Sequence, residues 1–111
     1  MPDAFDLLPR DLLGRIPPLG ATDGQGGDAV AWVKLFHPAS SWTWYITETD
    51  GSICYGLVVG HEVELGYFSL SELAQVRPIR IERDMDFQPT PLRELPECPS
   101  WLREQQHPRT G

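Results

Sequence analysis

The chain predicts an α+β fold: a twisted antiparallel β-meander of three to five strands with short helices packed on one face. Three features carry that expectation. Asp50-Gly51 separates two runs dense in aromatic and β-branched residues, Trp42–Thr49 and Ile53–Val59, which is the strongest short-range hairpin signal. Gly60-His61 separates the second run from a third, Glu62–Phe68, in the same way. Ser69-Leu70-Ser71-Glu72 follows directly with the spacing of a capping box, in which the Ser69 hydroxyl accepts from the Glu72 N–H and the Glu72 carboxylate reaches back.

Taken in order, the elements begin with Pro9, suited to the first turn of a helix that runs to about Leu13 and stops at Gly14. Pro17-Pro18 and the glycine-rich stretch from Gly20 to Asp28 form an extended connection, either a mobile tip or a place where something approaches the backbone closely. It is no phosphate loop, since no Lys-Ser or Lys-Thr follows it. Ala29–Phe36 reads as a strand, ended by His37-Pro38. After the meander, a helix from Leu70 to about Val76 ends before Pro78 and presents Leu70, Leu73 and Val76 on one face. Ile79 and Ile81 alternate with charged residues as an edge strand. Proline then permits only helical turns, with starts at Thr90-Pro91 and Ser100-Trp101.

An apolar fraction of 41% in 111 residues supports one domain with a real core, about 7–95, followed by a Pro-rich tail over 96–111. No basic and apolar leader opens the sequence, and the longest aliphatic run is Leu57-Val58-Val59, so a cytoplasmic chain is expected. Cys54 and Cys98 are then expected as reduced thiols.

The formal charge is -7, and it is unevenly spread. Residues 35–76 hold Glu48, Asp50, Glu62, Glu64 and Glu72 with no Lys or Arg, whereas residues 77–111 hold six acids and six bases. A protein that coats nucleic acid through clustered cations is disfavoured. With two-residue turns at Asp50-Gly51 and Gly60-His61, one sheet face carries Trp42, Trp44, Ile46, Glu48, Glu62 and Glu64. The opposite face, with Thr43, Tyr45, Cys54, Val58 and Leu65, takes the helix, and Tyr45 covers Gly56. A bulge or one-residue slip would exchange these faces. Carboxylates among indoles are either left open to a partner or clasped by Arg77, Arg80 and Arg83.

Catalytic patterns are sparse. No GxSxG, HExxH or CxxC occurs, and His37, His61, Cys54 and Cys98 have no standard zinc spacing. Glu62 and Glu64 on one strand face match paired acids, but also plain alternation in a half-exposed strand. Glu82-Arg83-Asp84-Met85-Asp86 reads as a solvated loop or a weak Mg²⁺ site. No catalytic residue, metal or cofactor is expected.

At Trp42-Thr43-Trp44-Tyr45, Glu48, Gly56-Leu57-Val58, Glu62 through Leu70, Glu72-Leu73 and Ile81-Glu82-Arg83-Asp84, with the GYFSLSEL string of residues 66–73 being specific, the chain resembles the bacterial family DUF2958 from about Leu7 to Leu95. That family has no established activity, so the resemblance transfers no role to any residue. It implies a habitat on plasmids and integrative elements. The expectation that follows is a non-enzymatic acidic binding protein of a mobile genetic element. It would inhibit a host defence complex (anti-CRISPR or anti-restriction) by presenting a surface like nucleic acid to a basic protein partner. The candidate partner-binding residues are Trp42, Trp44, Glu48, Asp50, Glu62 and Glu64. A homo-oligomeric adaptor, a homodimer included, and a small metal-dependent hydrolase using Glu62, Glu64 and His61 are the rivals.

Overall fold

The computed structural model describes residues 7–105. Helix α1 spans Arg10–Leu13, with Pro9 as its N-cap and Gly14 as its C-cap. A 3-10 turn at Gly26–Asp28 leads into β1, Val30–Ala31, and β2, Val33–Phe36. Then come β3, Thr43–Thr49, β4, Ile53–Val59, and β5, Val63–Ser69. Helix α2 covers Leu70–Ala74, and β6 is Glu82–Arg83. The remaining elements are β7, Thr90–Pro91, a 3-10 turn at Leu92–Glu94 and helix α3, Ser100–Arg103.

Strands β2 to β6 form one antiparallel sheet in the order β5-β4-β3-β2-β6, and β1 pairs separately with β7. The strand read as Ala29–Phe36 is therefore two strands in two sheets, parted at Trp32, whose N–H donates to the Ile46 carbonyl at 2.8 Å. The capping box is half made: the Glu72 N–H donates to the Ser69 hydroxyl at 3.2 Å, that hydroxyl also pairs with Ser71 at 3.0 Å, and the Glu72 carboxylate has no return bond to the Ser69 N–H. Helix α2 ends two residues sooner than its sequence spacing suggests, and the Arg77 guanidinium donates to the Ala74 and Val76 carbonyls there. The edge strand falls at Glu82–Arg83, one step beyond the Ile79/Ile81 alternation, with Ile81 buried and Ile79 exposed.

The meander is present, yet its register differs from two two-residue turns. Thr49 pairs with Cys54, Trp44 with Val58 and Tyr45 with Leu57, and the register shifts between Ile46 and Glu48. The first turn is longer because the Asp50 carboxylate accepts the Ser52 and Ile53 N–H groups at 2.8 and 2.7 Å, while the Asp50 N–H donates to the Ile53 carbonyl. In the second hairpin Val59 pairs with Val63, one residue beyond the expected partner. Because side chains alternate with period two, each single step moves a whole strand's set to the other face.

The faces that result are both covered. Val33, Leu35, Trp44, Ile46 and Cys54 pack with α1, α2 and Ile81. On the other side Tyr45 and Leu57 pack with Ala31, Leu92, Leu95, Cys98 and Leu102. Helix α2 thus sits on the face of Trp44 and Ile46, not on that of Tyr45 and Leu65 as alternation from the assumed turns implies. The segment from Pro96 to Gln105, expected as a tail outside the core, closes the second face with buried Cys98 and Leu102; the rest of that tail, 106–111, lies outside the described residues, as does the chain before Leu7. Its burial comes from contacts distant in sequence, to which local composition is blind.

All seven residues of β3 are buried, four of them polar or charged. Each hydroxyl finds a carbonyl: Thr43 to Ser41, Thr47 to Tyr55 and Thr49 to Ile53. Gly56 pairs with Ile46 rather than Tyr45, and a Cβ there would collide with the Tyr45 carbonyl oxygen beside the register shift. Gly66, its partner on β5, has open space around it. Gly56→Ala should therefore cost roughly 3 kcal/mol or more, through the forced shift of a central strand. Gly66→Ala should stay within about 1 kcal/mol. Denaturant midpoints of the two variants against the parent check this; equal midpoints would overturn it.

Candidate docking surface and the cleft beneath the glycine loop

The six residues expected on one docking face are dispersed. Trp44 is buried in the core under α2. Trp42 is half-buried, stacked on Trp44 at 5.9 Å between ring centroids and edge-on to His61 at 5.6 Å. Its ring lies across Gly60, where a Cβ would strike it. The two indoles therefore hold the β4–β5 turn and are not free anchors, which corrects the expectation for both. Asp50 is exposed, but its carboxylate is spent on the turn, and those two N–H donors hold it below the usual carboxylate range.

Glu48 departs furthest from expectation. At 2% exposure it is no outward acid. The register shift lets Thr47 and Glu48 share the place opposite Tyr55, so Glu48 leaves the face of Trp44 and Ile46. Its carboxylate accepts the Gly20 N–H at 2.7 Å, the Thr22 N–H at 2.8 Å and the Thr22 hydroxyl. The preceding chain is held in parallel fashion, since the Thr49 N–H donates to the Pro17 carbonyl at 3.0 Å. A buried carboxylate needs such donors, and here the glycine-rich loop supplies them. Neither Arg77, Arg80 nor Arg83 clasps it.

The same loop shows what its glycines are for. Gly20, Gly24 and Gly26 have φ of 92°, 79° and 54°, a region closed to most side chains. A Cβ at Gly26 would meet Gln105, and one at Gly27 would meet the Leu102 carbonyl. Close approach is thus made by the protein's own C-terminal segment, fastened by the Gly27 N–H to the Gln105 carbonyl and by Arg93 to Asp28 at 2.7 Å. Between loop and sheet remains a cleft of about 440 Å³ walled by Thr22, Asp23, Thr47, Tyr55, Leu65 and Gln105. Tyr55 and Tyr67 stand at 4.8 Å between centroids, and Tyr67 is 68% exposed. Burial, then the neighbouring Tyr67, Glu48 and Asp23, pushes the Tyr55 hydroxyl above its ordinary value.

Glu62 and Glu64 are the expected acids that do stand outward. Among the described residues neither carboxylate has an ion-pair or hydrogen-bond partner; the ion pairs Lys34–Asp84 and Arg93–Asp28 lie elsewhere. Glu64 pairs across from Val58 on β5, an edge of the sheet. Tyr67, two residues on from Leu65, shares the face of Tyr45 and Leu65, and sequence reasoning missed it because that face was expected to lie under the helix, which packs on the other one. Among the described residues no three His, Cys, Asp or Glu converge as a metal would need, and no helix is long and apolar enough to cross a membrane.

With this geometry in view, residues 13–97 match the model of a protein family of unknown function, DUF2958. The chain belongs to the DUF2958 family. The match spans β1 to β7 with both helices of the first face's covering layer touched, so the sheet, the glycine loop and Glu48 all fall within the family region. No curated protein and no solved structure matches the chain.

Two outcomes follow. Glu48→Ala leaves the Gly20 and Thr22 N–H groups without their acceptor and should cost roughly 2–4 kcal/mol. In hydrogen exchange it should also strip protection from those two amides while β4 keeps its own; protection unchanged at both amides would refute the clamp. Burial pushes the Cys54 thiol up to about 11, against a weaker opposing hydrogen bond from Thr49. At pH 8 only roughly one thiol in a thousand is then ionised, so native Cys54 should resist a bulky thiol reagent that labels it in denaturant.

Proposed function

We propose that this DUF2958 chain is a non-enzymatic acidic binding protein that docks through the β5 edge onto a basic surface of a protein partner. The observation that carries the reading is the pair of carboxylates, Glu62 just before β5 and Glu64 on it, which have no partner among the described residues and stand at the sheet's β5 edge in a stretch from Leu35 to Val76 without Lys or Arg. An open edge offers backbone donors and acceptors to an added strand, and the acids select a cationic one. Tyr67 supplies the aromatic contact that Trp42 and Trp44, being occupied, do not. Unscreened negative charge also speeds approach to a basic groove.

In its most specific form the partner is a basic nucleic-acid-binding protein of a host defence complex, and the chain is the anti-CRISPR or anti-restriction inhibitor of a mobile element. Carboxylates then stand where phosphates would. Charge and the family's expected habitat support that form. The burial of Glu48 confines the mimicking charges to the β5 side.

The test is capture of partner protein from host cells by the parent and by Glu62→Lys/Glu64→Lys, at about 50 mM and about 500 mM salt, where screening differs severalfold. Capture should fall about tenfold with charge reversal and with high salt. Tyr67→Ala should weaken capture by about tenfold at either salt concentration. Capture indifferent to all three changes overturns the reading. Light scattering alongside separates docking on a partner from the pairing of two copies through β5, which is the oligomer alternative.

A further inference from the structure

We propose that the groove between α2 and β6 is a binding site for a small amphipathic anion, a single carboxylate or phosphate head on an apolar body. The groove has a volume of about 490 Å³; its apolar wall is Leu7, Ala74, Ile81 and Met85, and its charged lining is Arg80 and Arg83 with one acid, Glu82. Pockets of this size hold small organic ligands. Met85 is 74% exposed beside it, an apolar side chain left facing water.

Arg83 is the centre of the argument. It pairs across from Leu35 and so shares the face on which Leu35 packs under α1 and α2. Its Nε is shut off from solvent and has no hydrogen-bond partner among the described residues. A donor on a cation that is removed from water and left unanswered is costly, far more so than a neutral one. The chain's neighbouring acids do not answer it. Glu82, exposed and itself lining the groove, makes no ion pair with it among the described residues. Asp84 is turned to Lys34 at 3.8 Å and accepts the Asp86 N–H at 2.9 Å. Arg77 is engaged with the end of α2, and Arg80 has no ion-pair or hydrogen-bond partner among the described residues.

An anionic head in the groove meets two guanidinium groups, Arg83 and Arg80, that have no ion-pair or hydrogen-bond partner among the described residues, and pairs with them through charge-assisted hydrogen bonds. The rest of the ligand covers the apolar wall. The site lies at the β6 edge of the sheet, opposite the β5 edge of the proposed docking surface, and does not depend on that reading.

Calorimetric titration of the full chain with decanoate, decyl phosphate, decanol and inorganic phosphate tests the assignment. At least one of the two amphiphilic anions should bind about tenfold or more tightly than decanol, and more tightly than inorganic phosphate. The tighter of the two names the head group. Arg83→Gln should bring that anion down to the level of decanol, whereas Arg83→Lys should retain part of the difference. Equal binding of anion and alcohol, inorganic phosphate matching decyl phosphate, no binding by any amphiphile at about millimolar concentration, or an anion preference that survives Arg83→Gln would each overturn it. If Arg83→Gln fails to fold, the comparison of decanoate with decanol on the parent decides.

Discussion

A single buried carboxylate organises one half of this molecule. Glu48 sits in the middle strand of a five-stranded sheet covered on both faces, where an ion can be kept only if donors surround it. No cation reaches it among the residues described; backbone N–H groups of the Gly20–Thr22 turn and the Thr22 hydroxyl do. That requirement draws a loop with little apolar content of its own down onto the sheet. The loop in turn gives the C-terminal segment something to close over, through Gly27 and Gln105. The cleft against Tyr55 is the space left between these layers.

Charge in the rest of the molecule follows the same division of labour. Acids needed for structure are inside or in turns, as with Glu48 and Asp50, and those left over collect at the β5 edge. The arginines that follow the meander do not cross over to neutralise them. They stay near α2 and β6, one on helix carbonyls and one half-buried in a groove. The β5 edge is thereby left acidic, whereas at the β6 edge acids and bases are mixed.

Much of the fold was legible from local chemistry. Asp50-Gly51, Gly60-His61, the Ser69 cap, and Pro9 with Gly14 each act within a few residues, and each marks a boundary the structure keeps. The faces were not legible, because they depend on counting by twos across turns. The Asp50 side chain lengthens the first turn, the shift at Thr47 inserts an extra residue, and the second hairpin starts one residue later. Trp44 and Glu48, four residues apart, consequently occupy opposite sides of the sheet. Of the expected site only Glu62 and Glu64 keep the outward, unpaired character assigned to them. The burial of Cys98 and Leu102 left no local signal, since their segment is too broken by proline to show a period.

The stacked indoles have a practical consequence. Trp42 and Trp44 hold their rings 5.9 Å apart at an interplanar angle of 28°, one over the Gly60-His61 bend and one in the core. Two such chromophores in fixed, twisted proximity share their electronic excitations and produce an optically active doublet in the ultraviolet. The integrity of the central hairpins is thus written into the protein's own absorption of circularly polarised light, with no label needed to see it.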